Sequence, residues 1–311
     1  MFRRSDNAVY AKCSTSRGVQ ELNGERQRID WLARNNIAGP AVLSWVQSDL
    51  GACLIISAVP GIPAADLSAS DLRQAWPSIV RTVRSVHDLP IADCPFERRL
   101  TTMLNRAEDV VRRHAVNPDF LLPEQRQTAA DEVLRWLRAE APHRVRQEAE
   151  DLVVCHGDAC LPNFIIDPDT RQCTGLIDLG RLGIADPYVD LALLAANSQP
   201  KWPNNDEAQH AFNMLFDLYG IKSPDQERLR FYLHLDRSPG DSRPWHGTST
   251  VPSTAAWRDH VDRADPEDTS LRSASADYRL IVIDTDDLTI DETVAQVVRA
   301  IPEIYESEGG D

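Results

Sequence analysis

The sequence predicts an α+β chain of two lobes, a small strand-rich one and a larger, mostly helical one, with an extension after them. Three observations carry this reading. The first sixty residues or so alternate strand-like and helix-like patterns, whereas helical periodicity dominates after Pro60-Gly61. That helical stretch is interrupted by the apolar runs at 152–155 and 164–178. The length of 311 residues suits about two compact units rather than one small core.

Taken in order, residues 7–13 (NAVYAKC) and 41–58 read as short strands, the latter folding back near Asp49-Leu50-Gly51. Between them "ELNGERQRIDWLARNN" carries Leu22, Ile29, Trp31 and Leu32 with helical spacing. In "SASDLRQAWPSIVRTVRSVHDL" Leu72, Trp76, Ile79, Val80, Val83 and Val86 share a face, with a break or kink expected at Pro77. Further helices are expected at 97–115 and 124–148, then a strand pair from 152–155 and 164–178. Another helix, capped by Asp206, should end at Gly220.

The domain boundaries expected are 1–59 for the small lobe, 60–236 for a helical lobe, 237–276 for a linker and 277–311 for an extension. The linker is rich in Ser, Pro, Asp and Arg. In the extension "DYRLIVIDTDD" reads as a strand, and "LTIDETVAQVVRAIPEIY" as a helix opened by a Thr289 to Glu292 capping box. This unit resembles the closing strand and helix of P-loop kinases. It has no site of its own: Ala11, Pro200 and Ile221 precede the three lysines, so no G-x-x-x-x-G-K-[ST] exists.

Composition excludes several classes. With 42% apolar residues the chain is not disordered throughout. No stretch reaches the ~20 apolar residues of a membrane span, and no secretory signal is visible, so a cytoplasmic protein is expected. The six cysteines form no C-x-x-C pair, which argues against zinc and for free thiols. A net charge of −15 argues against nucleic acid and favours a cationic small molecule. Much of that charge is in the tail, however, where 16 acids face 7 bases from residue 237 on, leaving −6 for residues 1–236.

The segment "VVCHGDACLPNF" carries the chemistry. Phosphoryl transfer needs a carboxylate to accept the attacking hydroxyl's proton, a polar metal ligand, and a second carboxylate joining metal to phosphates. Protein kinases present these as H-R-D-x-x-x-x-N followed by D-F-G. Here His156-Gly157-Asp158 precedes Asn163 at the same spacing, and "TGLIDLGR" supplies Asp178 after a second apolar strand. The plain alternative makes Asp158 and Asn163 turn residues and Asp178 a helix cap. A kinase-like site also needs a strand lysine held by a helix glutamate. Lys12 and Glu25 stand in that order, against the alternative of a solvated surface pair. Lysine is scarce here: Lys12, Lys201 and Lys222 are the only three among 33 bases.

The run from Val153 to Asn197, with "GERQRIDWL", "CPFERRL", "HAVNPDF" and "ERLRFYLHLD", is similar to the aminoglycoside phosphotransferases, above all their streptomycin-directed branch. The resemblance spans residues 1–236 and implies a bilobal protein-kinase-like fold. It implies ATP and Mg2+ as cofactors, Asp158 as catalytic base, Asn163 and Asp178 as metal ligands, and Lys12 with Glu25 on the nucleotide phosphates. Backbone near Ser57 and Val59 would bind adenine at the hinge, Asp236 would hold amino or guanidino groups of the substrate, and Asp186 and Asp190 would be scaffold. His156 would support its loop. The implied activity is ATP-dependent phosphorylation of an aminoglycoside, streptomycin at the 3″-hydroxyl foremost. Two other readings stand beside it: a kinase of another hydroxylated small molecule, and an inert copy that only binds nucleotide or drug. Relatives carry about twenty further residues ahead of the position of Met1, so a shortened cover over the phosphates is expected.

Overall fold

The computed structural model describes residues 9–114, 128–236, 249–251 and 278–283. The chain divides between Val59 and Pro60 into two compact units, the first of which also takes in the residues from 243 onward.

Unit 1 opens with β1 (Val9–Thr15), α1 (Val19–Arg34), β2 (Val42–Gln47) and β3 (Gly51–Ser57). Side chains alternate across a strand. Val9, Ala11 and Cys13 therefore join Cys53 and Ile55 in one buried cluster, and Lys12 points to the opposite face. The hairpin turns where Asp49-Leu50-Gly51 predicts, closed by Ser48 N donating to Gly51 O at 2.8 Å. On α1 the buried positions are Leu22, Glu25, Ile29, Trp31 and Leu32. The spacing of Leu22, Glu25, Ile29 and Leu32 defines one helical stripe, so Glu25 lies inside an apolar row.

Unit 2 comprises β4 (Ile62–Pro63), α2 (Ala69–His87), α3 (Leu100–Arg112), α4 (Ala130–Glu150), β5 (Val153–Cys155), β6 (Phe164–Ile166), β7 (Cys173–Leu176), β8 (Gly183–Ala185), α5 (Tyr188–Ser198), α6 (Asn205–Tyr219) and α7 (Gln226–Asp236). α2 starts where the Ser68 hydroxyl accepts from Asp71 N at 3.1 Å. It runs through Pro77 without the expected break. Trp76, Ile79, Val80 and Val83 are buried on both sides of the proline, and that burial outweighs the ~3 kcal/mol an interior proline costs. α3 begins later than expected because 96–98 is held extended against β8, with Ile184 N on Phe96 O at 2.8 Å and Arg98 N on Ile184 O at 3.0 Å. α6 is capped by Asn204, which accepts from Glu207 N, and not by Asp206. It ends as predicted at Gly220, whose φ of 96° is left-handed.

The expected pairing of 152–155 with 164–178 is not made. β5 pairs with β8, while β6 pairs with β7 and with β4. Hydrogen-bond partners of strands three residues long are set by the surrounding helices more than by neighbouring sequence.

Two strands from the end of the chain complete unit 1. β9 (Ser249–Val251) falls inside the stretch expected as linker, and β10 (Tyr278–Ile283) is the strand expected in "DYRLIVIDTDD". The sheet order is β2-β3-β1-β10-β9. The helix expected at 288–305 lies outside the described residues. Among the described residues no helix is long and apolar enough to cross a membrane.

Candidate active site

In unit 1, Lys12 Nζ and Glu25 Oε1 are 2.5 Å apart, with side chains only 2% and 4% exposed. This is not a solvated surface pair. Two charges so deeply buried are sustained by each other, because either one alone would carry its full desolvation cost. At the end of β3, the Ser57 N–H donates to Ala41 O and the Ser57 hydroxyl accepts from Ala41 N, both at 2.9 Å. The Val59 side chain is buried where unit 1 ends.

In unit 2 the loop after β5 is fixed largely by Asp190, the third residue of α5. Its Oδ2 accepts from His156 N at 2.7 Å and its Oδ1 from Gly157 N at 2.8 Å. His87 Nε2 donates to Oδ2 at 2.9 Å, and His87 Nδ1 lies 2.8 Å from the Tyr219 hydroxyl. Burial pushes the Asp190 carboxyl up, but His87, His156 and the Gly157 amide more than offset it, so its pKa lies below the ordinary value. Asp186 differs: burial outweighs Arg228 beside it, 2.7 Å away, and its pKa is raised. Both aspartates are fully buried.

The loop's own side chains complete the geometry. His156 Nδ1 accepts from Asp158 N at 3.2 Å, which leaves the proton on Nε2 to donate to Ile177 O at 3.0 Å. Gly157 has φ +82°, and a Cβ there would lie 2.3 Å from Arg181 O, so only glycine fits between His156 and Asp158. Asn163 is buried and donates through Nδ2 to Asp158 O at 2.8 Å, while its main-chain carbonyl accepts from Ile177 N at 3.0 Å. Asp178 follows in a left-handed conformation, φ 60° and ψ 61°, which an aspartate tolerates better than most residues.

Asp158, Asn163 and Asp178 are thus brought to one place, and Asp236 joins them. Burial raises the pKa of the Cys160 thiol beside them well above the usual value, and the charges of Asp158, Asp178 and Asp236 add to the rise. Arg181 stands among the carboxylates, its Nη1 3.8 Å from Asp158 Oδ1 and 3.3 Å from Asp236 Oδ1, and Arg98 lies 3.8 Å from Asp236. Sequence reasoning missed Arg181, Arg98 and His87. The nearest signal was Arg181 itself, three residues after Asp178 in "IDLGR".

The Asn163 amide spends its N–H donors on Asp158 O and Cys160 Sγ. Its Oδ1 and the Asp178 carboxylate are hard oxygen donors, the kind that suits magnesium. Among the described residues one further set, His87, Cys155 and Asp190, lies close enough to ligate a metal. There His87 and Asp190 bond each other, Asp190 also accepts from the loop amides, and burial raises the pKa of the Cys155 thiol. That set is scaffold. A groove of about 600 Å3 runs among α5, α6 and α7, lined in part by Ala195, Gln199, Trp202, Phe212, Arg230 and His234. Asn197, on the same helix α5, accepts from Leu161 N at 2.8 Å and so ties this wall to the loop of Asp158.

A strand lysine held by a helix glutamate, and an Asp-x4-Asn loop ahead of a second aspartate, define a kinase-like phosphotransferase. The chain belongs to the phosphotransferase enzyme family, whose family model matches residues 2–232. It is 49% identical over 236 residues to streptomycin 3″-kinase from Streptomyces griseus, covering 76% of this chain and 86% of that one. An aminoglycoside 3′-phosphotransferase from Streptomyces ribosidificus is 39% identical over 235 residues, 73% of this chain and 86% of that one. Among solved structures, aminoglycoside phosphotransferase APH(3″)-Id from Streptomyces rimosus in complex with ADP and streptomycin matches with a TM-score of 0.73 at 51% identity. That match covers 76% of this chain and 89% of that one.

Proposed function

We propose that this chain transfers the γ-phosphoryl group of ATP to streptomycin, at the 3″-hydroxyl. What carries the reading is the intact loop, with Asp158, Asn163 and Asp178 gathered at one place, in a chain half identical to a relative that holds ADP and streptomycin. Asp158 orients the attacking hydroxyl and takes its proton as the new phosphorus–oxygen bond forms and the bond to the departing ADP breaks. Lys12, steadied by Glu25, lies on the nucleotide phosphates and offsets their charge. Asn163 Oδ1 and Asp178 would hold magnesium, which when bound neutralises charge developing on the phosphates. Since the Ser57 N–H is committed to Ala41, an adenine along that stretch would meet other backbone groups. Asp236 takes part in holding the substrate's cationic groups, its charge shared with Arg181 and Arg98. The groove beside α5 receives the rest of the molecule; its volume is within the range of small-molecule sites.

The test is mass spectrometry of streptomycin, kanamycin and hygromycin after incubation with the protein, ATP and magnesium. A phosphoryl adduct on streptomycin alone is expected. Adducts on kanamycin instead would transfer the reading to the 3′-phosphotransferase relatives, and a folded protein that modifies none would overturn it.

A further inference from the structure

β10 forms a ladder with the strand that carries Lys12. The two run antiparallel over six consecutive pairs, from Val9 opposite Ile283 to Ser14 opposite Tyr278, with Lys12 opposite Leu280. On its other side β1 pairs with β3, where Lys12 stands opposite Leu54. β1 is therefore an interior strand with backbone partners on both flanks. With β10 gone it would be an edge strand, its outer N–H and C=O groups facing solvent. β9 in turn lies parallel to β10 and covers that strand's outer side.

Register is what places Lys12. A one-residue slip of β1 would turn Lys12 to the face now occupied by Val9, Ala11 and Cys13 and would carry Nζ away from Glu25. Two flanking ladders oppose such a slip more strongly than one. We propose that residues 278–283 are a working part of the nucleotide lobe, a strand that fixes the register of β1 and through it the position of Lys12 against the phosphates. The extension is then a positioning element contributed to the first lobe, neither an idle tail nor a second catalytic unit. This rests on the kinase reading only for what Lys12 touches; the ladder is independent of it.

The experiment has two arms, both on the full-length chain. Hydrogen exchange of the wild-type protein should show the amides of 278–283 exchanging at least about a hundredfold more slowly than an unstructured chain. Exchange there at unstructured rates overturns the proposal. The second arm is Leu280→Pro/Ile281→Pro. Successive N–H groups along a strand point to opposite sides, so one of the two prolines removes a donor facing β1 whichever the phase. The expected result is a dissociation constant for ADP and a KM for ATP raised about tenfold or more, with the KM for streptomycin within about twofold of wild type, tenfold being about 1.4 kcal/mol. Nucleotide constants within about twofold of wild type overturn the proposal. If the double variant does not fold, the exchange arm on the wild type decides. Wild-type protein that binds ADP but leaves streptomycin unmodified would overturn the proposed function alone, since ADP binding still tests the strand.

Discussion

Lys12 and Asp158 are placed by different physical means. Lys12 depends on a sheet register and on the ion pair with Glu25, which lies inside an apolar stripe of α1. Asp158 stands on a loop fastened by Asp190 at His156 and Gly157, by His156 at its own amide, and by Asn163 at its carbonyl. Register is a collective property and is lost all at once, whereas a loop bonded at many points loosens bond by bond. The first region should accordingly respond to mutation as a threshold, and the second as a graded series.

The largest effect expected is at the reacting group itself. Asp158→Asn should lower kcat by about a thousandfold, within the range for loss of a general base, while ADP affinity measured by titration stays near wild type. Turnover close to normal would remove Asp158 from the chemistry. Next, Glu25→Ala takes the carboxylate from a buried ammonium, and breaking a buried pair on one side costs about 3–5 kcal/mol. Thermal unfolding should show that loss as a steep drop, and Lys12→Met/Glu25→Leu should be the more stable protein although it fails to use ATP. A stable Glu25→Ala single variant would break the contrast drawn above.

Asp190→Asn is the graded counterpart. The amide keeps one oxygen for the loop but turns an NH2 toward a donor, so charge-assisted bonds worth about 1.5–3 kcal/mol are weakened. A fall in kcat of roughly 10- to 100-fold with little change in ADP affinity is expected. Its pH dependence sharpens this. The Asp190 carboxyl lies below its ordinary value of 3.8 in the folded protein, so its contribution is fully present above that value and is withdrawn as pH falls below it. The stability difference between wild type and Asp190→Asn should shrink as pH falls below about 4. The smallest effect is at the start of α6: Asn204→Ala removes the side-chain cap and should cost about 1 kcal/mol, read by thermal unfolding.

What could be read from the amino acids follows the distance over which each feature is determined. Asp158, Asn163 and Asp178 lie close along the chain, and their types and spacing alone point to phosphoryl transfer. Glu25 is legible from its order, on the helix that follows the strand of Lys12. The pairing of β5 with β8 was not, since strands three residues long lack a period that names a partner. Nor was the role of Arg181, which meets Asp236 across 55 positions of sequence. At Pro77 local preference points to a break, but the packing of Trp76 and Ile79 keeps the helix continuous. The α6 cap was missed by two residues, as Asn204 and Asp206 are both good caps and only the side-chain bond to Glu207 N separates them.

The partnership of β1 with β10 has a consequence for how this protein is made. The strand that covers the edge of β1 is synthesised roughly 260 residues after it, on the order of tens of seconds at elongation rates of about 5–20 residues per second. During that interval the nascent lobe presents an open β-edge, which other nascent chains on the same polysome can pair with. Yield in the cell should therefore depend on elongation speed and on chaperones that shield strands, and the first lobe can close its sheet only once β10 has been made.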